Sequence, residues 1–97
     1  MTKYKITVII VRENSAATKI FCGRVAWALN ELIRVGERGV TPITHPAPRW
    51  SAYIHILRGE GLIIETIHEK HGGRFPGTHG RYILRSIVHL VHANDND

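Results

Sequence analysis

Residues 48–91 read PRWSAYIHILRGEGLIIETIHEKHGGRFPGTHGRYILRSIVHLV, and the fold is predicted from the pattern of this segment. Its first eleven residues predict a helix over 48–58, because Trp50, Ile54 and Leu57 recur at positions i, i+4 and i+7. Two glycines follow directly and end the helical pattern. The apolar stripe predicts one face packed against a core and an opposite face in solvent.

The rest of this stretch predicts a β-hairpin, which we call the wing, over residues 62–91. Runs rich in β-branched residues at 62–67 and 81–91 are typical of strands. Residues 68–80 contain four glycines and one proline. We therefore expect a hairpin whose two strands enclose a large mobile loop.

Upstream of residue 48, the sequence predicts a β-hairpin over 5–22, a helix over 24–35 and an irregular connector. The connector contains prolines at positions 42, 46 and 48. Proline lacks a backbone N–H and restricts the residue before it, so a regular helix is excluded here.

Length and composition predict one α+β domain over residues 1–92, followed by a disordered tail over 93–97. The chain has 97 residues and one cysteine, Cys22, which excludes an internal disulfide. We expect Cys22 to be a small buried residue. The apolar runs are too short to span a bilayer and no secretory signal is evident, so the expected location is cytoplasmic and no membrane contact is expected.

The charge balance favours a polyanionic partner. Thirteen Lys and Arg residues stand against eight Asp and Glu residues, and the formal net charge is +5. Nine of the thirteen bases are arginine, whose planar fork suits phosphate and guanine edges. A small basic domain of this kind is typical of nucleic-acid binding.

The sequence also resembles a family of small bacterial winged-helix proteins of the helix-turn-helix class, found in alphaproteobacteria and in phage-like or mobile regions. The shared elements are AWAL, GVTPI, PAPRW, the corner LR..G..IET and HGG….G.HGRY in the wing. The resemblance implies a winged helix-turn-helix with an added N-terminal β-hairpin, and it implies DNA binding. The proline-rich connector departs from the family pattern, because it shortens the helix before the recognition helix.

In that fold the second helix enters the major groove and the wing touches the backbone or the minor groove. The candidate DNA-binding residues lie on these two elements: Arg49, Ser51, His55 and Arg58 on the helix, and Lys70, His71, Arg74, His79 and Arg81 on the wing. Arg58 has an alternative as a surface ion pair with Glu60 or Glu65. We expect no cofactor, no metal and no catalytic site. The wing does contain three histidines, His68, His71 and His79, and zinc can be bound by three histidines.

Two functional hypotheses follow. In the first, the protein is a double-stranded DNA-binding transcriptional regulator or mobile-element accessory factor, and not an enzyme. In the second, it is a protein interaction module in which the strand over 5–11 pairs edge to edge with a second copy or a partner. A basic surface shared by the helix and the wing would favour the first. The oligomeric state stays open, with a homodimer through residues 87–91 as one option.

Overall fold

The structure, a computed structural model, describes residues 4–47 and 49–94. Its elements follow in chain order: β1 Lys5–Val11, β2 Ala16–Cys22, α1 Gly23–Val35, a 3₁₀ helix Gly36–Arg38, α2 Trp50–Gly59, β3 Ile64–His71, β4 Gly77–Leu84 and β5 Ile87–Asn94. The strands form two antiparallel sheets. One has the order β2-β1-β5, and the other is the β3-β4 hairpin.

The three-stranded sheet provides one wall of the core. Along β1, Ile6, Val8 and Ile10 alternate with more exposed residues and are at most 1% exposed. This period of two places one face of the strand against the helices. Because β1 lies between β2 and β5, it has no open edge, and the hypothesis that it pairs with another chain is wrong. The open edges belong to β2 and β5.

The helix α1 packs against that sheet, and α2 packs against α1. Leu29, Leu32 and Leu57 are fully buried, and burial of each such side chain contributes about 2 kcal/mol. The Trp27 and Trp50 rings lie 5.4 Å apart, centroid to centroid. Trp50 is only 3% exposed, as expected for a core residue.

A single turn, and no helix, occupies residues 41–47. The buried Thr41 hydroxyl accepts hydrogen bonds from the backbone N–H groups of Ile43 and Thr44, at 3.2 and 3.0 Å. The Thr44 hydroxyl accepts from the Thr41 N–H at 3.1 Å. The Trp50 indole N–H donates to the His45 carbonyl at 2.6 Å, which fixes the turn to the start of α2. Pro48, where the predicted helix begins, lies outside the described residues.

The wing differs from the prediction in two ways. Its strands extend to His71 and start again at Gly77, so the connecting loop spans only 72–76. The predicted strand over 81–91 is two strands, because the chain turns at residues 85 and 86. There the Arg85 and Ser86 N–H groups both donate to the Ile63 carbonyl, and β5 leaves for the other sheet.

Two further expectations are corrected. Ala93 and Asn94 are part of β5 and pair with Ile6 and Lys5, so the predicted disordered tail does not include them. Residues 95–97, the rest of that tail, lie outside the described residues. Cys22 is exposed at the end of β2, where it pairs with Lys5, and is not buried. Across residues 4–47 and 49–94, no helix combines the length and apolarity needed to cross a membrane.

Candidate nucleic-acid interface

An exposed polar stripe runs along α2. Ser51, His55 and Arg58 are spaced i, i+4 and i+7, so they share one face, and all three are exposed. The opposite face of α2 is buried in the core. Arg49 precedes the helix and is also exposed. The helix therefore keeps a face that a large ligand can reach.

Arg58 connects this stripe to the wing. Its Nη2 group donates to the Ile64 carbonyl at 2.5 Å and to the Thr66 hydroxyl at 2.9 Å, both on β3. The alternative pairing of Arg58 with Glu60 or Glu65 is not formed. Those carboxylates bind other cations, Glu60 with Lys19 and Glu65 with Arg85.

The α2 side of the wing continues the stripe. Side chains alternate across a strand, so Thr66, His68 and Lys70 share the β3 face that Arg58 contacts. His68 and Lys70 are exposed. We define the interface stripe as Ser51, His55, Arg58, His68 and Lys70, together with Arg49 at the N-terminal end of α2. It leads from α2 toward the tip of the wing.

The tip of the wing carries an exposed aromatic residue beside a cation. Phe75 is 80% exposed, and the Arg74 guanidinium lies 5.7 Å from the centroid of its ring. Sequence reasoning missed Phe75. The available signal was a large apolar residue within a glycine-rich loop, where no core can cover it.

The other face of the wing holds three predicted site residues, His71, His79 and Arg81. His79 Nε2 lies 3.0 Å from Glu69 Oε1, and Arg81 Nε donates to Glu69 Oε2 at 3.2 Å. The His71 and His79 Nδ1 atoms are 2.9 Å apart. Since an ionised carboxylate only accepts, His79 Nε2 donates to Glu69, and the His79 Nδ1 of a neutral ring then accepts from His71.

The charge of Glu69 is stabilised by this arrangement. The hydrogen bond from His79, and after it the one from Arg81, lowers the pKa of the Glu69 carboxyl below its ordinary value. The three residues therefore form an internal network with Glu69 and face away from the interface stripe. Their separation from Lys70 follows from strand alternation combined with the pairing of β3 and β4, which the fold supplies.

The histidines considered for zinc are divided between the two faces of the wing. His71 and His79 are in contact, whereas His68 points to the α2 side. Among residues 4–47 and 49–94, no three His, Cys, Asp or Glu side chains come close enough to hold a metal ion.

A winged helix domain family matches residues 18–94, which is most of the chain. The chain belongs to this winged helix family. The match covers α1, α2, the wing and β5, and it starts within β2. In this winged helix domain, Val40 forms a β-bridge with Tyr82 and adds a short third segment beside the wing. No curated protein and no solved structure matches the chain.

Proposed function

We propose that this winged helix domain binds double-stranded DNA, with the α2 stripe in the major groove and the wing tip on the backbone or in the minor groove. The observation that carries the proposal is the continuity between helix and wing. Arg58 hydrogen-bonds directly to β3, on the face that also presents Lys70. A single surface therefore offers both the helix and the wing to one duplex.

The charges of the described residues support the same surface. Among the described lysines and arginines, four form an ion pair with a glutamate: Lys19, Arg34, Arg81 and Arg85. Arg49, Arg58, Lys70 and Arg74 form no ion pair with a described residue, so their charge is available to phosphates.

We propose that Ser51 and His55 contact the base edges. They occupy the middle of the stripe, and α2 has 10 residues, which gives a length of about 15 Å. A helix of this length spans only a few base pairs in the major groove. We therefore expect strong dependence on phosphate contacts and modest sequence preference from one protomer.

Fluorescence anisotropy with short duplexes tests the proposal. At low salt, we expect binding to a random duplex, and binding that weakens steeply as salt rises. The variant Ser51→Ala, His55→Ala should keep the salt dependence and lose preference among sequences, because it removes groove contacts and no cation. No binding to any duplex at low salt would refute the proposal.

Within this proposal the protein acts in the cytoplasm as a transcriptional regulator or an accessory factor of a mobile element, and not as an enzyme. Two observations support a DNA-binding role: the chain belongs to a winged helix family, and the interface stripe is exposed and basic. A protein interaction module is the alternative. It predicts that a partner protein, and not a duplex, protects the stripe.

We also propose a homodimer formed through β5. The other edge strand, β2, directs Lys19 inward to Glu60, and an inward charge protects an edge from pairing. In contrast, β5 contains neither a lysine, an arginine, an acid nor a proline, and it exposes Ile87 and Val91 at 59% and 57%. A strand without formal charge can pair antiparallel with its own copy without like-charge repulsion.

Light scattering coupled to size exclusion tests the dimer. The wild-type protein should have about twice the 11.0 kDa chain mass, and Val91→Lys should return it to a monomer. Thr18→Lys on β2 is the matched control and should leave the mass unchanged. A wild-type monomer at high concentration would contradict this part of the proposal.

A further inference from the structure

A groove of about 620 Å³ lies on the side of the wing that faces away from α2. Three parts of the chain enclose it: the C-terminal end of α1 with the 3₁₀ helix, the turn over 41–45, and the wing. Its lining residues include Arg34, Arg38, Thr44, His45, His79 and Arg81. Its volume is in the range of sites that bind small organic molecules.

Three arginines line this groove from separate elements. Arg81 is held in place because its Nη1 group donates to the Arg38 carbonyl at 3.1 Å while its Nε group binds Glu69. The Arg38 side chain is exposed and forms no ion pair with a described residue. Arg34 lies one helical turn before Arg38. The groove therefore combines one fixed arginine with one that is available to a ligand.

The carboxylates at the groove are already engaged. Glu69 is the acid that lines it, and both of its oxygens accept hydrogen bonds, from His79 and Arg81. Glu31 lies behind the lining, where Arg34 donates to it at 2.7 Å and His45 Nε2 is 3.3 Å away. The hydrogen bond from Arg34 lowers the pKa of the Glu31 carboxyl. Glu37 on the 3₁₀ helix is exposed and does not line the groove.

The lining is not uniformly polar. Val35 and Ile43 contribute apolar surface, and Ile43 is 58% exposed within the turn. Arg34 and Arg81 are each paired with a carboxylate, Glu31 and Glu69, so Arg38 carries the unpaired positive charge at the groove. Arg38 offers both arms of its guanidinium fork to phosphate oxygens, whereas Arg81 keeps its Nη2 group for one further contact, because its Nε and Nη1 groups are already bonded.

We propose that this groove binds an organic phosphate monoester, with its phosphate on Arg38 and Arg81 and its apolar body against Val35 and Ile43. The groove joins the wing to the turn that leads into α2, so a bound ester fixes the wing relative to α2. A consequence for DNA rests on the proposed DNA function. If the domain binds DNA through α2 and the wing, the ester and DNA alter each other's affinity by the same factor, by thermodynamic linkage.

The binding itself is tested without DNA. Phenyl phosphate is titrated into the ¹⁵N-labelled full chain, with inorganic phosphate as a second probe and chemical shifts as the readout. We expect shifts at residues of the turn over 41–45 and of β4, and weaker binding of inorganic phosphate, which lacks the apolar body. Arg38→Gln should weaken phenyl phosphate binding about tenfold, since it removes a charge-assisted contact.

Arg24→Gln is the matched control, because Arg24 is an exposed base on α1 that does not line the groove. It should leave the affinity unchanged, and both variants should unfold at the wild-type temperature. Absence of binding at millimolar phenyl phosphate, equal affinity for the two probes, or equal weakening by the two variants would each overturn the proposal.

A duplex-binding measurement distinguishes a groove that binds a free ester from a groove that binds a phosphate of the DNA backbone. If Arg38→Gln weakens binding to a duplex and phenyl phosphate competes with that duplex for the groove, the groove is part of the DNA surface and the proposal of a free ester is overturned. If the protein binds phenyl phosphate but no duplex, the groove stands and the DNA function fails.

Discussion

The variant Lys70→Gln tests the interface stripe most directly. Lys70 is exposed on the α2 side of the wing and forms no ion pair with a described residue. With Arg49, Arg58 and Arg74, it is one of the cations that the stripe and the tip present. If each binds one phosphate, log K falls against log salt with a slope of about −3.6, and Lys70→Gln changes the slope to about −2.7.

These slopes translate into a large difference in salt sensitivity. Between about 50 mM and about 200 mM salt, the affinity of the wild-type protein should fall about 150-fold and that of Lys70→Gln about 40-fold. Fluorescence anisotropy titrations at four salt concentrations measure both slopes. Glutamine keeps the length and polarity of the side chain, so the fold should be unaffected.

Lys5→Gln is the matched control for net charge. Lys5 is exposed on the outer face of the three-stranded sheet, whose inner face covers the core. Its loss should leave the slope unchanged. An unchanged slope in Lys70→Gln, or the same change in both variants, would show that the stripe is not where phosphates bind.

Four further predictions concern the wing tip, the core, a glycine and acid stability. Phe75→Ala should weaken duplex binding several-fold at an unchanged salt slope, because Phe75 is 80% exposed and carries no charge; anisotropy measures both quantities. Leu57→Ala should lower the free energy of unfolding by about 3 kcal/mol in a urea titration, since Leu57 is fully buried. Gly39→Ala should destabilise by about 2 kcal/mol or more, because φ is +73° and a Cβ would lie 2.8 Å from the Tyr82 carbonyl oxygen; thermal unfolding checks it. Glu31 has a pKa below its ordinary 4.5, so its stabilisation is present above that pH and is lost as the pH falls below it; urea midpoints should then decline less steeply with acid in Glu31→Gln than in the wild type.

Sequence periodicity correctly predicts which face of α2 is buried. The spacing of Trp50, Ile54 and Leu57 predicts the buried face, and those residues are 3%, 1% and 0% exposed. The exposed face with Ser51 and His55 follows from the same spacing. Local pattern is sufficient here because a helix displays its side chains every 100° whatever it packs against.

Periodicity and composition do not predict on which face of the wing each candidate residue lies. Residue type and position along the chain predict nine candidate DNA-binding residues and group His71, His79 and Arg81 with Lys70. Strand pairing brings those three to Glu69 on the opposite face. The break at residues 85 and 86 was also missed, because 81–91 is continuously rich in strand-forming residues and only the pairing of β5 with β1 divides it.

Four features can be read from the amino-acid sequence: the winged helix family, the buried face of α2, the exclusion of a helix from the proline-rich connector and the excess of positive charge. These features depend on local periodicity, on the missing N–H of proline and on residue counts. Three other features are visible only in the folded chain: the side of the wing that each base occupies, the position of β5 at a sheet edge, and the meeting of Arg34, Arg38 and Arg81 at one groove. Those arrangements join residues far apart in the chain, and only the packing of the sheets and helices brings such residues together.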